Sequence, residues 1–167
     1  FPRYGKRSRF FVEKYLNGEY GGIEDVGPKM GSTFYALDRF DSTQEIVDML
    51  EQGKVLLANR YVSASMGHQG SKISDLAERK EFLDWLHELE YEIFAIPKPD
   101  VSIILHVSAD ISQKLADKKG HRDYVGGEKR DLHESNKQHL KDSEATYLQI
   151  VKDYPDFHLI ECVKDDD

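Results

Sequence analysis

Three short apolar runs constrain this chain most: KVLLA at 54–58, VSIILHV at 101–107 and FHLIECV at 157–163. Each is too short for a helix, and each is separated from the next by sequence with helical periodicity. Strands that alternate with helices cannot close as hairpins. They pair in parallel through crossovers, which places helices on both faces of one sheet and predicts a three-layer α/β/α architecture. KVLLA, continuous and bounded by Gly53 and Asn59, predicts a strand covered on both faces. Three strands are few for such a sheet. The opening Phe1-Pro2-Arg3-Tyr4-Gly5 lacks an initiator Met, and the chain stops soon after an apolar run, so both ends read as those of a piece of a longer protein.

The intervening segments supply the helices. A short amphipathic helix follows Phe10 and ends at Asn17-Gly18. From 29 to 52 the spacing of Phe34, Leu37, Ile46, Val47 and Leu50 predicts one long helix with Gly53 as its stop. A helix of small residues follows Arg60. Another spans 75–94, with Leu76, Phe82, Leu83, Leu86, Leu89 and Ile93 as its stripe. Ser108 is a candidate cap for a helix carrying Ile111 and Leu115, and a last helix runs over 132–154. The polar, basic, glycine-containing stretch 118–131 reads as a loop able to act as a lid. With 167 residues, 39% of them apolar, and no internal repeat, residues 1–167 form a single domain.

Charge narrows the partners. A net charge of −8 argues against a general nucleic-acid surface or an anionic-membrane surface, so phosphate chemistry must use local basic clusters. No apolar run approaches the roughly 20 residues that span a bilayer. Cys162 is the single cysteine, which excludes an internal disulfide and fits a reducing cytoplasm.

In open parallel sheets, ligands bind beyond the carboxyl ends of the strands. Asn59, Arg60, Ser108 and Asp110 fall on that edge. A guanidinium there suits a phosphate or carboxylate, although pairing with a helix carboxylate explains Arg60 equally well. Tyr35 and Arg39 lie four residues apart on one helix face, where a ring can stack on a base and an arginine bond its edge. The alternative is a core tyrosine, with Arg39 paired to Asp38 or another neighbour. Lys118, Lys119, Arg122, Lys129 and Arg130 are suited to neutralising a polyphosphate, or are simply solvated. Asp131, His133 and Glu134 open the next helix, where the dipole favours acids. The seven histidines show no zinc-ligand spacing, and no nucleophile elbow occurs.

Taken in order, FPRYG, FYALDR (34–39), ANRYVSASMGHQG, IPKPD (96–100), GHRDYVGGEKRDLHE (120–134) and ATYLQI resemble bacterial thymidylate kinase over essentially the whole chain. The resemblance implies a P-loop kinase fold and transfer of the ATP γ-phosphate to dTMP with Mg²⁺. It implies that Phe1, Arg3 and Tyr4 lie near the dTMP phosphate, that Tyr35 packs on thymine, and that Arg39 contacts the base edge. Arg60 corresponds to the arginine on the acceptor phosphate, with Ala64, Ser65, His68 and Gln69 along the nucleoside. Arg122 lies in the lid and shares the catalytic role with Arg60. Asp131, His133 and Glu134 approach the sugar and phosphates, and Asn59 and Glu134 stand near Mg²⁺. IPKPD, preceding its strand, is structural. A homodimer is also implied. The sequence departs from the family in three ways: no G-x-x-x-x-G-K-[ST] occurs, Asn59 replaces the usual Asp, and His68 replaces Tyr. The alternatives are a nucleotide-binding protein without catalysis, or another nucleotide kinase of the same fold.

Overall fold

Helix α1, Phe10–Leu16, grows directly out of a 3-10 turn at Arg7–Arg9 and stops before Gly18, whose φ of 74° is a left-handed position that glycine fills without a Cβ penalty. The computed structural model describes residues 1–22, 25–118 and 137–163. Helices α2 (Pro28–Phe40), α3 (Thr43–Glu51), α4 (Val62–Gly70) and α5 (Leu76–His87) follow. Then come strand β1 (Ser102–His106), helices α6 (Ala109–Lys118) and α7 (Lys137–Asp153), and strand β2 (Phe157–Glu161).

β1 and β2 pair in parallel, from Ser102 opposite Phe157 to His106 opposite Glu161. α7 lies against both strands. The core is built where α4, α5, α7 and β2 meet: Val62 and Met66, then Phe82, Leu83 and Leu86, then Ile96, Ile150 and Phe157. Each such side chain contributes about 1.5–3 kcal/mol relative to exposure.

Three expectations are corrected. The strand over 54–58 is not formed: Val55 is 97% exposed and Leu57 98%. Apolar composition does not make a strand unless the backbone finds a neighbour, and among the described residues β1 and β2 satisfy only each other. Ile103 and Leu105 on β1 are likewise exposed, so among the described residues helices cover one sheet face rather than two.

The single helix expected over 29–52 is two. The Ser42 hydroxyl donates to the Arg39 carbonyl at 2.6 Å, and the Ser42 N–H donates to the same oxygen at 3.0 Å. These local bonds capture an acceptor that a continuing helix would use one residue later, and the chain turns.

α5 starts at Asp75, whose carboxylate accepts from the Ala77 and Glu78 N–H groups at 2.9 Å. It then widens into a π-helical turn over Glu88–Ile93, in which the Phe94 N–H reaches back five residues to the Leu89 carbonyl at 2.9 Å. The wider turn shifts the inward face. Ile93 is exposed, as is Leu76 at the other end of the stripe, and Glu90 is fully buried.

His106 closes the carboxyl end of the strand pair. Its Nδ1 lies 2.6 Å from the Glu161 carboxylate and its Nε2 lies 3.0 Å from that of Glu144. The other Glu144 oxygen accepts the Ala109 N–H at 2.8 Å, tying the start of α6 to α7.

Candidate functional site

α4 begins at a strained backbone position. Arg60 has φ 64°, which a non-glycine residue occupies at a cost of about 1–3 kcal/mol and typically where function requires it. Its side chain is exposed, with Nη1 3.2 Å from His68 Nε2 across one face of α4. Arginine only donates, so in this contact His68 Nε2 is the acceptor. Among the described residues no carboxylate forms an ion pair with Arg60. Among the described residues, then, the alternative of a helix carboxylate partner is not formed.

Phe1 joins this corner: its backbone nitrogen donates to the Asn59 carbonyl at 2.6 Å, and its ring centroid is 5.6 Å from that of Tyr61. The Tyr61 hydroxyl donates to the Pro97 carbonyl at 3.0 Å, which gives IPKPD a structural contact. Burial pushes the Tyr61 phenol up to about 12.

Arg39 is 1% exposed. Its Nε donates to both Glu90 oxygens at 3.1 and 2.9 Å, and its Nη2 donates to Glu90 Oε1 and, at 3.1 Å, to Ser65 Oγ. Its Nη1 approaches the Tyr61 carbonyl at 3.4 Å, so this arginine meets the backbone of the residue after Arg60. Pairing with Asp38 does not occur, because consecutive helix residues point about 100° apart. Asp38, also fully buried, turns to the amino-terminal segment. It accepts the Arg3 N–H at 2.8 Å and Ser8 Oγ at 2.5 Å, and pairs with Arg3 Nε at 3.5 Å. The Arg3 guanidinium also bonds Ser8 Oγ and Asp41 and approaches Glu45. Tyr4 is exposed, with the Arg9 guanidinium 5.4 Å from its ring.

Tyr35 is half-buried, edge-on to Tyr15 at 6.4 Å. The Tyr15 hydroxyl receives Lys72 Nζ at 2.9 Å and Gln69 Nε2 at 3.3 Å, and Lys72 also donates to the Val26 carbonyl at 2.8 Å. Gln69 is buried directly over Gly31, where an added Cβ would fall 2.6 Å from its Oε1. Ala64 is half-buried on the same helix.

The structure thus brings together Phe1, Asn59, Arg60 and His68, joins Arg39 to Ser65, and links Tyr35 to Gln69 through Tyr15. Arg122, Asp131, His133 and Glu134, with nearly all of the lid, lie outside the described residues. Glu90, Tyr15 and Lys72 are partners that the sequence does not signal, and Asp38, a candidate for Arg39, serves Arg3 and Ser8 instead. Among the described residues no group of three His, Cys, Asp or Glu side chains converges as a metal cage.

His68 rests edge-on against Tyr147 at 5.7 Å and beside His139 at 5.8 Å. Burial raises the Tyr147 phenol, and the Arg60 charge opposes this. Burial, with help from Lys72, lowers His139 to about 4. His106 is shifted upward by its bonds to Glu161 and then Glu144. The two histidines give opposite pH dependences of stability. His106 is raised on folding, so its contribution is complete below the ordinary value near 6.5 and is lost as pH climbs through the raised value. His139 is depressed, so its contribution is complete above 6.5 and is lost as pH falls toward about 4. Urea unfolding of the His106→Gln protein between pH 4 and 8 is expected to flatten the alkaline side of the stability profile relative to wild type. His139→Gln flattens the acid side.

No family model matches the chain. Its fold superposes on that of a thymidylate kinase from Candida albicans with a TM-score of 0.69, covering 96% of this chain and 69% of that one at 18% identity. The class is thereby defined at the level of the fold: an α/β protein with the fold of that kinase. In sequence the chain is 26% identical over 152 residues to the thymidylate kinase of Mycobacterium tuberculosis (strain ATCC 25618 / H37Rv), covering 90% of this chain and 69% of that protein. It is 27% identical over 120 residues to a probable thymidylate kinase of Pyrobaculum aerophilum, covering 71% of this chain and 55% of that one. Over most of its length the chain is thus similar to curated thymidylate kinases.

Proposed function

We propose that the protein is a thymidylate kinase, moving the γ-phosphoryl group of ATP to the 5′-phosphate of dTMP to give dTDP and ADP. The observation that carries this is Arg60: an exposed guanidinium on a residue at a left-handed backbone position, its Nη1 resting against His68 Nε2. An exposed arginine that forms no ion pair with a carboxylate among the described residues is suited to an anion. The acceptor phosphate is already ionised at neutral pH, so no general base has to remove a proton from it. What the reaction requires is that two anions be brought into line and their charge neutralised.

Arg60 takes the acceptor phosphate in this reading, with Asn59 and Phe1 shaping the same corner and Arg3 and Tyr4 on the segment beside it. Tyr35 and Arg39 address the base, Ala64 and Ser65 line the nucleoside, and His68 and Gln69 complete its far side. Arg122 reaches the phosphates from the lid, and Asp131, His133 and Glu134 follow it toward the sugar. Mg²⁺ arrives with ATP, held chiefly by the phosphates; the described residues form no cage for it, and Asn59 offers one amide oxygen. A homodimer is proposed through the helices after FYALDR, since α3 has no buried residue of its own while Leu50 is exposed on it. The single cysteine is consistent with a cytoplasmic setting, and no described helix is long and apolar enough to cross a membrane.

The test is turnover of dTMP by the full-length protein with ATP and Mg²⁺, read as dTDP. Phosphorylation of dCMP or dUMP without dTDP redirects the substrate assignment, and dTMP binding without turnover makes the protein a nucleotide binder. Arg39→Ala is expected to raise the KM for dTMP about tenfold or more, in line with the loss of a charged hydrogen bond to the base. An unchanged KM removes Arg39 from base recognition.

A further inference from the structure

We infer that Glu90 is a positioning residue for base discrimination, fixing the Arg39 guanidinium so that one N–H edge is left for the nucleobase. The inference rests on the thymidylate kinase reading above. An arginine carries five N–H donors. On Arg39 the Nε donor and both Nη2 donors are taken by Glu90 and Ser65, and one Nη1 donor faces the Tyr61 carbonyl. A single Nη1 N–H remains. A donor fixed in direction accepts a base edge that presents a carbonyl there and rejects one that presents an amino group, because the amino group leaves two donors opposed in a dry site.

Stability alone does not account for the pair. Arg39 and Glu90 are 1% and 0% exposed, and a buried ion pair of this kind is commonly no more stabilising than apolar side chains of the same volume. Its effect here is on orientation: a guanidinium already locked has little rotamer freedom left to lose when a nucleotide arrives. The backbone is adapted to the same end. Glu90 points inward because of the π-helical turn over Glu88–Ile93, a distortion that recurs at functional sites. The following residue of note, Ala95, adopts φ 50°, and the Ile96 N–H returns to the Glu90 carbonyl at 3.1 Å, closing the backbone around that position.

Calorimetric titration of the full-length protein with dTMP and with dCMP tests this. Glu90→Gln is expected to weaken dTMP binding about tenfold, the scale of one charged hydrogen bond, and to narrow the dTMP:dCMP affinity ratio by a similar factor. Because Glu90 acts through Arg39, the same substitution in an Arg39→Ala background is expected to change neither affinity more than about twofold. A purely structural carboxylate would weaken both nucleotides alike and do so in both backgrounds; that result, or an unchanged ratio in folded Glu90→Gln, overturns the inference. Should Glu90→Gln fail to fold, Glu90→Asp keeps the buried charge but is one methylene too short to hold both Nε and Nη2. It must narrow the ratio, and an unchanged ratio there is equally fatal. Failure of the wild-type protein to bind dTMP refutes instead the thymidylate kinase reading, before any variant is compared.

Discussion

Arg60→Ala is expected to lower kcat/KM for dTMP on the order of a thousandfold, the scale seen when a phosphoryl-transfer site loses an arginine that neutralises transition-state charge. The fold is expected to survive, because the side chain is exposed and its one described polar partner is His68. Arg60→Lys keeps a charge but not the planar fork, and a partial loss of roughly ten- to a hundredfold follows. Arg60→Gly separates the two roles of the position. Glycine occupies φ 64° without the penalty of a Cβ, so its urea midpoint should be no lower than that of wild type while activity falls as far as in Arg60→Ala. Activity within about threefold of wild type in Arg60→Ala, measured as dTDP formation, would show that the acceptor phosphate is held elsewhere.

The sequence argument that marks Arg60 rests on a strand before it. Arg60 follows an apolar run that predicts a buried strand, and that strand is not formed in the structure. What survives is the local order: an apolar run, an arginine, then a helix of small residues. The turn into α4 places Arg60 at the start of the helix whether or not the preceding residues pair. Strands β1 and β2, by contrast, form where their apolar runs predict them, because these two runs have each other as neighbours in parallel register. Periodicity reports what a segment would bury; it does not report whether a partner is there to bury it.

Glu90 and Asp38 show the complementary limit. Both are carboxylates with no exposed surface, yet Glu90 stands in HELEYEIF and Asp38 in FYALDR, where a charged residue reads as solvated. Their burial follows from tertiary partners distant in the chain, Arg39 for Glu90 and Arg3 with Ser8 for Asp38. The π-helical turn hid Glu90 further, since a strict 3.6-residue period assigns the inward place to Ile93. The spacing of Tyr35 and Arg39 does not disclose that Arg39 is buried: an arginine this enclosed requires its own carboxylate, and the candidate nearest in sequence, Asp38, points the wrong way.

Gly67→Ala should be the most destabilising single-methyl addition in α4. A Cβ at Gly67 would lie 2.2–2.5 Å from three ring carbons of Tyr147, well inside van der Waals contact. A ring is a rigid obstacle, and His68 already packs on it from the side. α4 and α7 would therefore have to part, at the seam where Met66 and Ile150 enter the core. Overpacking of this kind costs about 1–3 kcal/mol, here partly offset by the better helix propensity of alanine, about 1 kcal/mol. In a Tyr147→Ala background the obstacle is gone and the same substitution should reverse sign, stabilising the helix by up to about 1 kcal/mol. Equal destabilisation in both backgrounds, measured by urea unfolding, would mean that glycine at 67 serves something other than the close approach of Tyr147. Because Gly67 immediately precedes His68, the clash also displaces the imidazole from Arg60. In the wild-type background Gly67→Ala is therefore expected to lower dTDP formation even at temperatures where the protein remains folded. The small residues of VSASMGHQG thus have a mechanical meaning: they let α7 come close enough to support His68, the side chain that meets Arg60.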